Sequence, residues 1–245
     1  MAWPNTVLNA IIADSLDYMA TQLEKRAGKN PTQAKLESAV KSLLKEVVKE
    51  HRRVCFDGDG YSKAWHDEAK KRGLPNHTST ADAIACFGTK KASELFAKYS
   101  ILSKRELEAR YGVMVEQYIK LLRIESRTLQ SMVRTAVLPC ALRFQAELAD
   151  VVGATQACDI ECPGTAAQLR EVVGLVESLR TAIAKVEKAE HCDSHDPEKE
   201  ARHYRDVLVP AMVEVRKLCD SLEKIMPADL YPLPTYAELL FSTKN

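Results

Sequence analysis

Three stretches from Ser103 onward repeat apolar side chains at helical spacing for longer than a typical globular helix. That periodicity constrains the fold more than any other feature. Ser103 and Glu106 form a capping box, and apolar residues then recur from Leu107 through Val113, Tyr118, Leu121, Leu122, Leu129, Met132, Val133 and Val137 towards Leu148 and Val152. The spacing predicts one helix of about 70 Å, ended by Gly153. A kink is expected at Pro139, whose ring would collide with the carbonyl of Thr135. A second helix is expected from about Gly164 to Glu190, on Leu169, Val172, Val173, Leu175, Val176, Leu179, Ile183 and Val186. A third starts with Asp196 as cap and Pro197 at the first position, and reaches Ile225 through an interior Pro210. Helices with one apolar stripe are unstable singly. The short polar connections at 154–163 and 191–195 therefore predict antiparallel packing as a bundle.

The front of the chain is built on a smaller scale. After Pro4, the residues Val7, Leu8, Ile11, Ile12, Leu16, Met19 and Leu23 keep helical spacing down to Gly28. Burying about six such side chains would contribute on the order of 10 to 15 kcal/mol, so this stripe is core or interface. Asn30 as cap and Pro31 at the first position predict a second helix through Leu36, Val40, Leu43, Leu44 and Val47. Val54-Cys55-Phe56 reads as a short extended piece and Asp57-Gly58-Asp59-Gly60 as a turn. Ser62 then caps a helix to Arg72, closed by Gly73 and Pro75. A further short helix is expected from Thr80 to Cys86. In the tail, Pro227, Pro232 and Pro234 force an extended path through Thr235, followed by a last short helix from Tyr236 to Phe241. The division is a helical segment over 1–102 and a long-helix bundle with a Pro-rich tail over 103–245.

Composition supports a mainly α chain with little or no β, since 9 Gly, 10 Pro and 6% aromatics are too few for an all-β fold. Lys+Arg 35 against Asp+Glu 34 leaves a net charge of +1, so no global field recruits nucleic acid or an anionic membrane. Trp3 and Trp65 lack basic interleaving. No apolar run reaches the roughly 18 residues of a membrane span. The opening carries Asp14 and Asp17 and no Arg or Lys before Lys25, which reads against a secretory signal or a transit peptide. Seven scattered cysteines, from Cys55 to Cys219, read as reduced thiols. The expected compartment is the cytoplasm, or an organelle.

Chemistry-bearing patterns are sparse. Asp57, Asp59 and Glu68 stand at offsets one, three and twelve, like a calcium loop, but Ser62 occupies the place of its glycine and favours a capped turn. Cys158, Cys162, His191, Cys192 and His195 lie on the two connections. They are the candidate zinc ligands if those connections meet at one end of the bundle, against a flexible polar loop as the plainer reading. His51-Arg52-Arg53 reads as a solvated helix end. Arg123, Glu125, Arg127 and Arg134 read as a solvated or interhelical ion-pair face, with a phosphate or acidic partner as the rarer alternative. There is no Gly-x-Ser-x-Gly elbow and no phosphate-cradling Gly-x4-Gly-Lys loop.

As an ordered set, PNTVLNAIIADSLDYMATQLE (4–24), FDGDGYSKAWHDEAKKRGLPN (56–76), the stretch from Glu94 to Ala149 and DLYPLPTYAELLF (229–241) resemble the C-terminal portion of type III glutamine synthetases. The stretch from about Gly153 to Glu200 matches little. The resemblance implies a ligase that joins ammonia to glutamate through a γ-glutamyl phosphate, using ATP and magnesium or manganese, in ring-shaped oligomers. It also implies that the family's metal carboxylates, nucleotide pocket and phosphate-clamping arginines lie upstream of the helix that Pro4, Asn5, Leu8 and Asn9 open. Met1 stands where the catalytic strands would be, so no catalytic, cofactor-binding or metal-binding residue of the family is carried onto this sequence. Its motif residues Pro4, Asn5, Asn9, Asp57, Gly58, Gly60, Tyr61, Pro139, Pro232 and Pro234 are expected to be structural. The chain is thus expected to be a fragment or separate domain with a structural and assembly role. Its expected partners are the catalytic portion and further copies, and it should be silent alone, without a cofactor of its own. The alternatives are a subunit complementing a separately encoded catalytic half, and a stand-alone helical module or metal sensor through His191 and Cys192.

Overall fold

Where the chain's helices start and stop is decided by local hydrogen bonds that the computed structural model makes explicit. It describes residues 2–234 and 236–241, without the side chains of Ala2, Tyr236 and Ala237; Met1 and Thr235 lie outside the described residues. Of the described residues 79% are helical and none is in a strand. The mainly α expectation therefore holds, and Val54-Cys55-Phe56 is no strand: a 3-10 turn, Arg52–Val54, leads into irregular backbone. Two compact units result, residues 1–114 and 115–245.

In the first unit, α1 (Ala2–Ala27) packs against α2 (Gln33–His51) and, after the short α3 (Lys63–Lys71) and α4 (Thr80–Ala85), against α5 (Lys90–Lys98). The start of α2 differs from expectation. Asn30 takes a left-handed φ of 50°, so Pro31 stays outside the helix and Thr32 caps it by accepting from the Lys35 N–H. Ser62 caps α3 as expected, and Gly73, at φ 66°, closes it by letting the Leu74 N–H reach the Ala69 carbonyl. The helix α5, which the sequence reading missed, is capped by Thr89 and stopped by Ser100 in the same left-handed geometry. Ala10, Phe96 and Leu107 form the core here, with Trp3 stacked on Phe96 at 5.6 Å and tilted against Phe87 at 5.1 Å.

The capping box at the start of α6 (Lys104–Met132) is present: the Glu106 N–H donates to Ser103 Oγ, and the Ser103 N–H to the Glu106 carboxylate. At Pro139 the chain does not keep an α-ladder up to the proline. It widens into a π-turn, Val133–Val137, in which the Leu138 N–H bonds five residues back to Val133, and α7 (Leu138–Gln156) continues from there. Pro210 is met identically by the π-turn Tyr204–Leu208, where the Val209 N–H reaches Tyr204; this turn joins α9 (Pro197–His203) to α10 (Val209–Ile225). A missing N–H and a ring clash thus become one inserted residue. Gly153 does not end α7. The stop is Asp159, at φ 59°, with its own N–H on Gln156 and the Ile160 N–H on Thr155.

Between α7 and α10 runs α8 (Pro163–Ala189), packed on both. Its residues Val172, Val176, Leu179, Ile183 and Val186 make the buried seam, none more than 4% exposed, but Val173, expected on the same stripe, is left exposed. Side-chain pairs give the direction: Arg127 bonds Glu190 while Arg134 bonds Glu187, so α6 and α8 run antiparallel. The Asp196 carboxylate caps α9 through the Glu198 N–H, and α11 (Tyr236–Phe241) follows the Pro-rich tail, both as expected. Truncating Leu179 to Ala leaves a cavity under α8 and should lower unfolding free energy by about 3 kcal/mol. The same change at the half-exposed Val173 should cost less than about 1 kcal/mol. Equilibrium urea unfolding measures both, and equal losses would contradict this assignment of the buried face.

Candidate functional site

The stripe on α1 is shared between the core and solvent. Trp3, Val7 and Ala10 turn inward, whereas Leu8, Ile11, Ile12 and Leu16 remain exposed, Leu8 at 52% and Leu16 at 57%. Pro4, Asn5 and Asn9 are also exposed. Four aliphatic side chains on two turns of one helix form an unpartnered apolar patch rather than scattered surface residues. A polar clamp holds the helix: Lys98 Nζ lies 2.9 Å from Asp14 and 2.8 Å from Asp17, and the Tyr99 hydroxyl lies 2.9 and 3.0 Å from the same carboxylates. Hydrogen bonds from Lys98 and Tyr99 hold both carboxyls below the usual carboxylate range.

The Asp57–Gly60 turn is shaped by local hydrogen bonds and ring stacking. The Asp59 carboxylate accepts from the Tyr61 N–H at 2.9 Å, and Glu68 is engaged by the Arg72 guanidinium at 2.7 Å, which lowers its pKa. Phe56 stacks on Trp65 at 4.5 Å and Arg72 lies over the Trp65 ring while donating to the carbonyls of Arg53 and Cys55. Gly58 is required there, because a Cβ would come within 2.8 Å of the Phe56 ring; at Gly60 the space is open. Tyr61 projects from the turn, 96% exposed.

The arginine row on α6 resolves into interhelical pairing. Arg123 donates to Glu200 at 2.6 Å and to the Tyr204 hydroxyl at 3.2 Å, Arg127 to Glu190 at 2.7 Å, and Arg134 pairs with Glu187. The buried Ser126 and Gln130 also donate to Glu190, and the Tyr204 hydroxyl donates to the Glu190 carbonyl. Burial pushes the Tyr204 phenol up, against the pull of Arg123. Every partner of the arginines is 53 to 81 residues distant in sequence, which is why the sequence named the arginines but not Glu187, Glu190, Glu200 or Tyr204. Glu125 joins none of these pairs.

The candidate zinc ligands are placed apart. Cys158 and Cys162 precede α8, while His191, Cys192 and His195 follow it; 27 residues of helix separate the two sets by about 40 Å. The exposed His191 meets Asp193 at 3.1 Å. Among the described residues no three His, Cys, Asp or Glu side chains converge as a metal site would require. As placed, these residues do not fit the donor set of a divalent cation. Pro139 is half-buried beside its π-turn; Pro232 and Pro234 flank Leu233 in the tail, which is tied down by Tyr231 on the Cys219 carbonyl.

Fold and surface together define an all-α module with an open apolar helix face on α1. Residues 39–156 match the model of the glutamine synthetase C-terminal domain, and the chain carries that domain. It is 32% identical over 98% of its length to a type-3 glutamine synthetase of Dictyostelium discoideum. It is also 32% identical over 85% of its length to a glutamine synthetase of Butyrivibrio fibrisolvens, and 24% identical over 96% to one of Bacteroides fragilis. The chain covers 33%, 30% and 33% of these proteins, about a third of their length.

Because the Asp14 and Asp17 carboxyls are depressed, their contribution is complete above the unfolded value near 3.8 and is lost as pH falls through the lower folded values. Trp3 fluorescence in a Trp65→Phe background should therefore hold steady from about pH 5 upward and change in a step below about pH 4. Lys98→Met should remove that step. A step of unchanged size in the variant would show that the clamp does not hold α1.

Proposed function

We propose that the chain is the helical C-terminal region of a glutamine synthetase, with a structural and assembly role. Ligation of ammonia to glutamate, with ATP and magnesium or manganese, falls to the remainder of a full-length enzyme. The observation that carries the assembly role is the open stripe Leu8, Ile11, Ile12 and Leu16, apolar surface that a free-standing domain would be expected to cover. Coverage of about a third of each relative supports the reading of the chain as one part of such an enzyme. In this reading residues 1–102 follow the catalytic sheet, α1 lies against it, and residues 103–245 form the bundle that contributes to contacts between copies. Pro4, Asn5 and Asn9 then belong to the docking face. Gly58 and the neighbouring Asp57, Gly60 and Tyr61 shape the turn, and Pro139, Pro232 and Pro234 set helix and tail geometry. The chain holds no cofactor of its own. We place it in the cytoplasm or an organelle; no helix among the described residues is long and apolar enough to cross a membrane.

Mixing the chain with the separately produced catalytic portion of a type-3 glutamine synthetase should raise ATP-dependent glutamine formation above that of either part. The double variant Leu8→Asp, Ile12→Asp should lose the gain, since each buried carboxylate costs several kcal/mol. A mixture no more active than its parts, or a chain that makes glutamine alone, would contradict the proposal.

A further inference from the structure

In the second unit, α6, α10 and the tail enclose a groove of about 530 Å³, within the range that holds small ligands. Its walls are apolar: Leu129, Met132 and Val133 on one side, Leu233 and Leu239 on the other. The polar groups that reach it are unevenly spent. Tyr231 bonds the Cys219 carbonyl at 3.4 Å, and burial pushes the Cys219 thiol up to about 11, so it stays neutral. Arg216 is held by Asp220 at 2.5 Å. The carboxylates of Glu125 and Glu223 also border the groove, and no ion pair engages either among the described residues. Three carboxylates therefore face one guanidinium around an apolar floor.

We propose that this groove is a binding site for a small amphipathic cation, an apolar chain inserted between α6 and α10 with its ammonium group at Glu125 and Glu223. The apolar walls supply affinity in proportion to the chain length buried. The acidic rim supplies the choice of head group, because a cation gains a charge-assisted hydrogen bond where an anion meets repulsion. Tyr231, Leu233, Pro234 and Leu239 bound the groove and suit it to a short chain rather than to a long helix.

Isothermal titration of the 245-residue chain with octylamine, hexylamine and octanoate tests the site. Octylamine should bind with one-to-one stoichiometry, about tenfold tighter than octanoate. Hexylamine should be weaker by roughly three- to fourfold per methylene removed. The Glu125→Gln, Glu223→Gln double variant should lose the preference for the amine while keeping the dependence on chain length. Thr128 is an exposed residue on the groove's α6 side, so Thr128→Trp should fill it and abolish binding while thermal unfolding stays unchanged. Octanoate binding as tightly as octylamine, no saturable octylamine binding, or a Thr128→Trp variant that is folded and binds normally would each overturn the proposal. If Thr128→Trp unfolds the chain, Met132→Trp is the second plug, with the same outcomes required.

Discussion

Removal of the α8 seam from water is the interaction on which the second unit depends. Val172, Val176, Leu179, Ile183 and Val186 face helices on both sides, so α7 and α10 owe their apolar packing to one central element. Buried apolar side chains contribute roughly 1.5 to 3 kcal/mol each, far more than the ion pairs at the surface around them. The arginine ladder from Arg123 to Arg134 adds something different. Its partners Glu187, Glu190, Glu200 and Tyr204 lie on α8 and the helix that follows it, so the charges and hydrogen bonds form together only in one register.

The two prolines inside long helices are answered by the same construction. Each lies two residues beyond a π-turn, and in each the residue just before the proline donates five positions back. The geometry keeps the helix running where a lost hydrogen bond and a ring clash would otherwise interrupt it. Tyr204, the first residue of the second π-turn, is also the group that joins Arg123 to Glu190. Proline accommodation and the polar ladder thus meet at one buried side chain.

Much of this was legible because caps and periodicity are local. Ser62, Ser103 with Glu106, and Asp196 with Pro197 act within three residues of themselves, and all three caps are present. What escaped depended on backbone choices that side-chain identity does not dictate. Asn30 turned left-handed and passed its capping role to Thr32, Asp159 rather than Gly153 took the left-handed stop, and Ser100 ended a helix too short for its period to stand out. The partners of the arginine row lie on other helices, so no spacing rule could name them. The two polar connections looked equivalent in sequence, yet the length of α8 puts their cysteines and histidines at opposite ends.

A chain with well-buried seams in its bundle nevertheless leaves Leu8, Ile11, Ile12 and Leu16 open on α1, braced from behind by Trp3 and by the Lys98 clamp. That contrast between satisfied core and uncovered helix face is the physical basis for reading the chain as one part of a larger enzyme. Amide hydrogen exchange along α1, measured for the chain alone and for its complex with the catalytic portion, tests this most directly. The account predicts that exchange at residues 8–16 slows on the order of a hundredfold in the complex while the α8 seam stays as protected as before. Identical α1 exchange rates in the two states would contradict it.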